Sequence, residues 1–280
     1  MMDQTASRTA LGTAFARAAH QLIDPPPLLF ADPTALPLLG PNAAESVQAM
    51  IDRHQSPYGR GLRSHVCLRA RFAEDRLADA VRQGAKWYVL VGAGFDTFAL
   101  RQPDWAHGLR IVEVDHPATQ AAKRDMISAA GFAIPDNLTF AATDFTRESL
   151  GDVLARHGIE DAVYFSWLGV TMYLDEAAID ASLAAMANAG DRSSLTLTFK
   201  QPDDGSVAGD AKIAEFVARL GKAFVSFFTP EQMAAKLAQH GLVVQRFLTP
   251  EKARADYFTP PRGGIPAPRH TSIVYAAKQP

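Results

Sequence analysis

The pattern of apolar and polar positions turns regular at Ser64. Ala73, Leu77, Ala80 and Val81 recur at i, i+4, i+7 and i+8 and so share one face of a helix. Ser64 reads as the N-cap of that helix and Gly84 as its end. Lys86 to Gly92 follows, a short apolar run with aromatic and β-branched residues, which predicts a buried strand. Further strands are predicted at Leu109 to Val114, Leu138 to Ala142, Ala162 to Trp167, Ser194 to Phe199, Leu242 to Leu248 and Ser272 to Ala277. Helices are predicted between them at Pro117 to Ala130 and Thr146 to His157. Another, capped by Asp175, carries Ile179, Leu183 and Met186 on one face, and a further one is opened by the capping box Thr229-Pro-Glu-Gln232. A separate amphipathic helix, Asp210 to Leu220, carries Ile213, Phe216, Val217 and Leu220.

Before Ser64 the pattern is mixed. A helical stretch from Thr13 to Gln21 is broken by Asp24-Pro-Pro-Pro27, Asp32-Pro33 opens an apolar turn or helix over Thr34 to Leu39, and His54 to Gly61 reads as a loop. Strands alternating with helices predict an α/β protein with a mostly parallel sheet covered on both faces. The last two strands have no predicted helix between them, as expected if one is inserted antiparallel.

Composition narrows the function. A net charge of −2 offers no broad basic field, which counts against a general nucleic-acid or polybasic membrane binder. Cys67 is the one cysteine, so neither an intrachain disulfide nor a Cys-rich zinc site can form. No apolar run reaches the ~20 residues that span a bilayer, and no signal-peptide pattern opens the chain. The expectation is a cytoplasmic protein of 280 residues, more than a minimal nucleotide-binding sheet requires.

The chemistry concentrates at three predicted strand ends. Val91-Gly92-Ala93-Gly94-Phe95-Asp96-Thr97 follows the first strand, and glycines there let a ligand approach the backbone. A dinucleotide fingerprint would place a third glycine near Thr97. Asp96 would repel a pyrophosphate, so the turn suits a phosphate-free ligand carrying a cation. The second strand ends in Glu113-Val-Asp115, where a carboxylate can accept from both ribose hydroxyls. Asp115 is the better placed, and Glu113 is alternatively a partly buried structural acid paired with an arginine. The third ends in Thr143-Asp144-Phe145. Asp144 either bonds an adenine amino group, with Phe145 over the ring, or caps the following helix. Together these acids describe a pocket for S-adenosyl-L-methionine.

Several pieces in order carry a family resemblance: Arg17-Ala-Ala-His20 with Asp32-Pro33, Arg69-Ala-Arg71-Phe-Ala-Glu-Asp75, Val91 to Thr97, Glu113-Val-Asp-His-Pro117 with Lys123, Thr143-Asp-Phe145, and Ser166-Trp-Leu-Gly-Val-Thr-Met-Tyr-Leu174. The chain resembles the bacterial class I S-adenosyl-L-methionine-dependent methyltransferases related to leucine carboxyl methyltransferase. The resemblance implies a Rossmann-like sheet of seven strands with one antiparallel, helices on both faces and an N-terminal helical lid. It implies cofactor contacts from Gly92, Asp115, Asp144 and Phe145, and a pairing of Arg71 with the cofactor carboxylate. Neighbouring contacts are expected from Ala93, Gly94, Asp96, Glu113, His116, Trp167 and Leu168. Many relatives carry an acid where this chain has Leu168, so Trp167 or Tyr173 is expected to line the pocket or else to be core.

The implied reaction is in-line methyl transfer to an oxygen of a small-molecule acceptor, without metal. A carboxylate acceptor needs no base, whereas a hydroxyl does. Tyr173, His20 and His270 are the candidate catalytic groups; His65 and His116 are further histidines without a specifying motif. Arg17, Tyr173, Phe224, Arg262 and Arg269 are candidates for the acceptor side. A nicotinamide-dependent oxidoreductase and a non-catalytic cofactor-binding module are the alternatives. One domain is expected: residues 1–84 as lid, 85–200 as cofactor core, 201–228 as an inserted helix of the acceptor pocket and 229–280 as the closing helix and strands. The expected assembly is a monomer or homodimer.

Overall fold

The apolar runs pair into one sheet. Its strands are β1 (Trp87–Val91), β2 (Arg110–Asp115), β3 (Leu138–Ala142), β4 (Val163–Trp167), β5 (Ser194–Thr198), β6 (Leu242–Phe247) and β7 (Ile273–Lys278). The computed structural model describes residues 6–202 and 224–279, so the helix expected at Asp210 to Leu220 lies outside the described residues. The strand order is β3-β2-β1-β4-β5-β7-β6. β1 to β5 pair in parallel, and β7 is antiparallel to both β5 and β6, which is the inserted strand that the sequence implied.

Side-chain alternation along the strands builds two core layers. Val89, Val91, Val112, Val114, Val163, Phe165, Trp167, Leu195 and Leu197 face one layer. It is closed by α7 (Leu150–Arg156), α8 (Glu176–Asn188) and α9 (Pro230–Gln239), through Val153, Ile179, Leu183, Met186, Met233 and Leu237. Tyr88, Leu90, Ile111 and Tyr164 face the other, packed by Leu77 and Ala80 of a long helix, Pro57–Arg82. Each such fully buried side chain contributes roughly 1.5–3 kcal/mol. α6 (Pro117–Ala129) crosses from β2 to β3.

The N-terminal residues form α1 (Arg8–Ile23), α2 (Ala35–Leu38), α3 (Ala43–Ala49) and α4 (Ile51–Gln55); the long helix is α5. Here the expectation of a loop over His54 to Gly61 is corrected. α5 starts at Pro57, capped by Ser56, whose Oγ accepts from the Gly59 amide at 3.1 Å. Gly59 is not a breaker: a Cβ there would lie 2.2 Å from the Arg53 carbonyl oxygen, so glycine lets α4 and α5 meet. Ser64 is therefore interior to the helix. α7 begins at Leu150 and not at Thr146, because the Ser149–Asp152 capping box starts it. A helix does separate β6 and β7: α10 (Pro250–Tyr257), capped by Thr249 with proline at its first position. Its Thr-Pro-Glu opening repeats that of α9.

Candidate functional site

From β1 the chain runs outward to β2 and β3, and from β4 outward to β5, so a crevice opens at the carboxyl ends of β1 and β4. Gly92 follows β1 with φ +72°, and the space where its Cβ would stand is met by Val170 Cγ2 at 2.4 Å. Gly94, at φ +55°, has Ala10 of α1 over it, 3.1 Å from a built Cβ. The glycines thus let the β4 loop and α1 close onto the turn. Asp96 turns back on its own loop, its Oδ1 accepting from the Phe98 amide at 2.8 Å.

At the end of β2, Asp115 accepts from the Gly94 amide, and from the His116 amide at 2.7 Å. Its carboxylate is held at the rim of the glycine turn. His116 caps α6, its Nδ1 accepting from the Ala118 amide at 3.3 Å. Glu113 is a correction. It is 1% exposed and bonds Lys123, also 1% exposed, while burial pushes its pKa up against the pull of Lys123. It is a structural acid beneath the site, the alternative the sequence left open, with Lys123 as its partner in place of the expected arginine. Asp144 accepts from Thr146 through the backbone amide at 3.0 Å and through Oγ1 at 2.7 Å, which lowers its pKa. It closes a turn ahead of α7 without capping that helix. Phe145 beside it leaves 45% of its surface exposed, a large aromatic face at the carboxyl edge.

Two aromatic and basic expectations change. Trp167 is fully buried in the layer closed by α8, so its side chain is core. Leu168 and Gly169, which follow it, are partly exposed at the crevice, and Gly169 donates to Thr198 Oγ1 at 2.7 Å. Arg71 points away: its Nε donates to Asp75 at 2.9 Å, and 41% of its side chain is exposed. Arg69 takes the inward position. A Cβ on Gly169 would lie 2.6 Å from Arg69 Nη1, and Gly169 has φ +75°, so glycine there admits the guanidinium. Burial, reinforced by Arg17, draws the Arg69 pKa down to about 10, and Asp96 and Tyr173 act in the opposite direction. Among the described residues no carboxylate lies within ion-pair distance of Arg69. Helix geometry offered the signal: Arg69 lies four residues before Ala73 on the stripe of Leu77 and Ala80, and Arg71 falls on the other side.

Arg17 and His20 are corrections as well. Arg17 is buried, with Nε donating to Asp32 at 3.2 Å and Nη2 to the Phe95 carbonyl, so it ties α1 to the glycine turn. Asp32 also accepts from Thr97 Oγ1 at 2.7 Å and Thr34 Oγ1 at 2.8 Å, and Arg101 lies at 3.4 Å. His20 has no exposed surface. Its Nε2 accepts from the Phe30 amide at 3.4 Å, so Nδ1 carries the proton toward Asp24 at 2.8 Å. Asp24 in turn accepts both forks of Arg63, each at 2.8 Å. With both nitrogens engaged and no access, His20 does no proton transfer. Cys67, also buried, has its thiol pushed up to about 12 by burial.

Tyr173 does face the crevice side. It is partly buried, stacks with Phe224 at 5.6 Å between ring centroids, bonds Thr9 of α1, and lies within the field of Arg69. Phe224 begins a strap whose Val225 amide donates to the Met172 carbonyl at 2.8 Å, leaving Val225 56% and Phe227 44% exposed. Arg262 is partly buried, and Arg269 and His270 are exposed, in the segment between α10 and β7. The groups gathered at the crevice are therefore a carboxylate at β2, an acid and exposed aromatic at β3, the α5 guanidinium of Arg69 beside Gly169, without a carboxylate partner among the described residues, and a phenol. That set fits an adenosyl sulfonium amino acid: acceptors for ribose and adenine, a stacking face, and a cation for a carboxylate. Among the described residues no group of three His, Cys, Asp or Glu is arranged as a metal site, and no helix is long and apolar enough to cross a membrane.

The comparisons with known proteins agree. Residues 10–187 match the family model of leucine carboxyl methyltransferase. The chain is 27% identical, over the full length of both proteins, to YktD of Bacillus subtilis, whose name describes an S-adenosyl-L-methionine-dependent methyltransferase. It is 32% identical to Franean1_4929 of Parafrankia, a name of the same kind, over 60% of this chain and 54% of that one. Among solved structures, one from Bordetella parapertussis, described as a possible exported protein, superposes with a TM-score of 0.53 at 15% identity over 98% of both chains. An O-methyltransferase family protein from Burkholderia thailandensis gives 0.50 at 12% identity, over 82% of this chain and 63% of that one. On its sheet, its crevice and this match, the chain belongs to the leucine carboxyl methyltransferase family and is an S-adenosyl-L-methionine-dependent methyltransferase.

Proposed function

We propose that the protein transfers the methyl group to an oxygen of a small-molecule acceptor. The observation that carries this reading is the Arg69 guanidinium against Gly169, without a carboxylate partner among the described residues and within the field of Tyr173, which packs on Phe224. In this reading Arg69 binds the amino-acid carboxylate, the role that the family resemblance implied for Arg71. Asp115 accepts from the ribose hydroxyls, Asp144 and Phe145 take the adenine, and the backbone at Gly92, Ala93 and Gly94 lines the approach with Asp96 near the cationic end. When bound, S-adenosyl-L-methionine supplies an electrophilic methyl on a sulfonium. The chain's work is then to hold that methyl in line with an acceptor oxygen and to keep water out. Tyr173, Phe224 and the exposed strap provide the apolar wall for the acceptor, and α1, pinned by Arg17, closes the turn from above.

The test pairs two substitutions with two measurements. Arg69→Met should weaken S-adenosyl-L-methionine binding, by calorimetry, at least about tenfold, as expected for loss of a charge-assisted pair. Arg71→Met, at an exposed ion pair, should change it less than about twofold. The reverse pattern would return the role to Arg71. Candidate acceptors are screened by mass spectrometry for the gain of one methyl; methylation at nitrogen or carbon alone would overturn the oxygen assignment.

A further inference from the structure

The ladder between β4 and β5 ends at Trp167 and Leu197. Beyond it the chain leaves β4 through Leu168, Gly169 and Val170 into the short helical turn Thr171–Tyr173. Two bonds tie this loop to β5, and both end on Thr198. The Gly169 amide donates to Thr198 Oγ1 at 2.7 Å, and Thr171 Oγ1 donates to the Thr198 carbonyl at 2.7 Å. Thr198 is buried and stands opposite Ile273 of β7, and the Phe199 amide after it donates to the Ser272 carbonyl at 3.0 Å. The sheet therefore fixes Thr198 from one edge, and Thr198 holds the loop from the other.

The loop presses on three parts of the crevice. A Cβ on Gly169 would lie 2.6 Å from Arg69 Nη1, so the guanidinium rests directly on the Gly169 backbone. Val170 Cγ2 fills the space over Gly92, 2.4 Å from where a Cβ would stand. The Met172 carbonyl accepts from the Val225 amide at 2.8 Å, and Tyr173 stacks with Phe224. Contacts this close leave no slack, so any shift of Gly169 is passed to the guanidinium. Thr196, two residues earlier on the same face of β5, offers a counterpart. It is equally buried, and its hydroxyl is bonded instead to the Tyr164 hydroxyl at 2.6 Å.

We infer that Thr198 is a positioning residue of the cofactor site: its buried hydroxyl fixes Gly169, and Gly169 sets where Arg69 meets the amino-acid carboxylate of S-adenosyl-L-methionine. This rests on the reading above in which Arg69 binds that carboxylate. Thr198 touches no reacting atom and acts through the loop. Valine in its place keeps the branched shape that suits the strand, but leaves the Gly169 amide without its acceptor. The part of the cofactor that Arg69 grips is the part that feels the loss.

The test uses the full chain, calorimetry and two probes: S-adenosyl-L-homocysteine, and methylthioadenosine, which keeps the adenosine and the sulfur but lacks the amino-acid group. Arg69→Met comes first. It should weaken S-adenosyl-L-homocysteine binding about tenfold and methylthioadenosine binding less than about twofold. Equal effects on the two probes would overturn the Arg69 reading and this inference with it. Thr198→Val and Thr198→Ala should each weaken S-adenosyl-L-homocysteine about three- to tenfold and methylthioadenosine less than about twofold, and Thr198→Ser should restore the wild-type affinity within about twofold. With Arg69→Met already in place, Thr198→Val should add less than about twofold, because it acts through the same guanidinium. Thr196→Val removes a buried hydroxyl from the same strand, and should leave the preference between the probes as in the wild type. If Arg69→Met behaves as stated but the Thr198 variants leave that preference unchanged, weaken both probes equally, or match Thr196→Val, Thr198 is only structural and the inference fails while the Arg69 assignment stands.

Discussion

Asp32→Asn probes how the N-terminal helices are held to the glycine turn. Asp32 is fully buried and accepts from Arg17, Thr97 and Thr34, with Arg101 alongside. Burial raises its pKa, but Arg17 and Arg101, with the two hydroxyls, outweigh this and bring it below the usual carboxylate value. Asparagine keeps the shape and one carbonyl oxygen. Its amide NH2, however, meets Arg17 Nε–H and Thr97 Oγ1 where Oδ2 stood, or Thr34 Oγ1 with Arg101 alongside where Oδ1 stood, and in either orientation the negative charge is gone. The buried Arg17 then stands uncompensated, while Arg101 retains Glu74. Removing one partner of a buried pair costs about 3–5 kcal/mol. For a chain of this size that corresponds to a fall in Tm of roughly 6–12 °C by calorimetry or circular dichroism. The double variant Asp32→Asn, Arg17→Met should be less destabilised than the sum of the single changes, because it removes the orphaned charge. A fall of less than about 2 °C, or strict additivity, would refute the argument that this pair carries the lid.

The remaining predictions concern cofactor and acid. Asp115→Ala should weaken S-adenosyl-L-methionine binding by about 1–3 kcal/mol through lost ribose contacts. Glu113→Gln should lower Tm by leaving buried Lys123 unpaired, with cofactor affinity of the folded protein changed by less than about threefold; calorimetry on both variants separates a ribose acceptor from a structural acid. Burial raises the Asp24 pKa, but the bonds from His20 and Arg63 prevail and lower it from 3.8. Its contribution to stability is therefore complete above the unfolded value, near 4, and is lost as pH falls through the lower folded value. Melting temperature followed from pH 6 to pH 2 should drop in that acid range, and Asp24→Asn should flatten the drop. An identical profile in the variant would remove Asp24 from the account.

Alternating local patterns were enough to read the sheet, because each strand is a short apolar run and each helix carries its own caps. β3 is bounded by the predicted residues and the other strands lie within one residue of theirs. The acids at the ends of β2 and β3 were legible for the same reason: a strand end is a local feature, and the carboxyl edge follows from the parallel topology. The start of α5 was not legible, since Gly59 reads as a breaker until α4 is seen against it. The missed α10 was within reach, its Thr-Pro-Glu opening matching that of α9.

The sequence by itself determined the class of fold, the succession of strands, and the acids that fall at the carboxyl edge of the sheet, all set by short-range periodicity and turn residues. Only the tertiary structure decided which polar groups are spent. Glu113 and Asp115 share a side-chain direction, yet Lys123 takes one and leaves the other at the rim. Arg69 and Arg71 belong to one motif, yet the helix turns one onto Gly169 and the other toward Asp75. His20 and Arg17 are locked by Asp24 and Asp32. These outcomes depend on partners distant in the chain, and burial makes the partner decisive: away from water, a charge is either matched by a neighbour or left for a ligand.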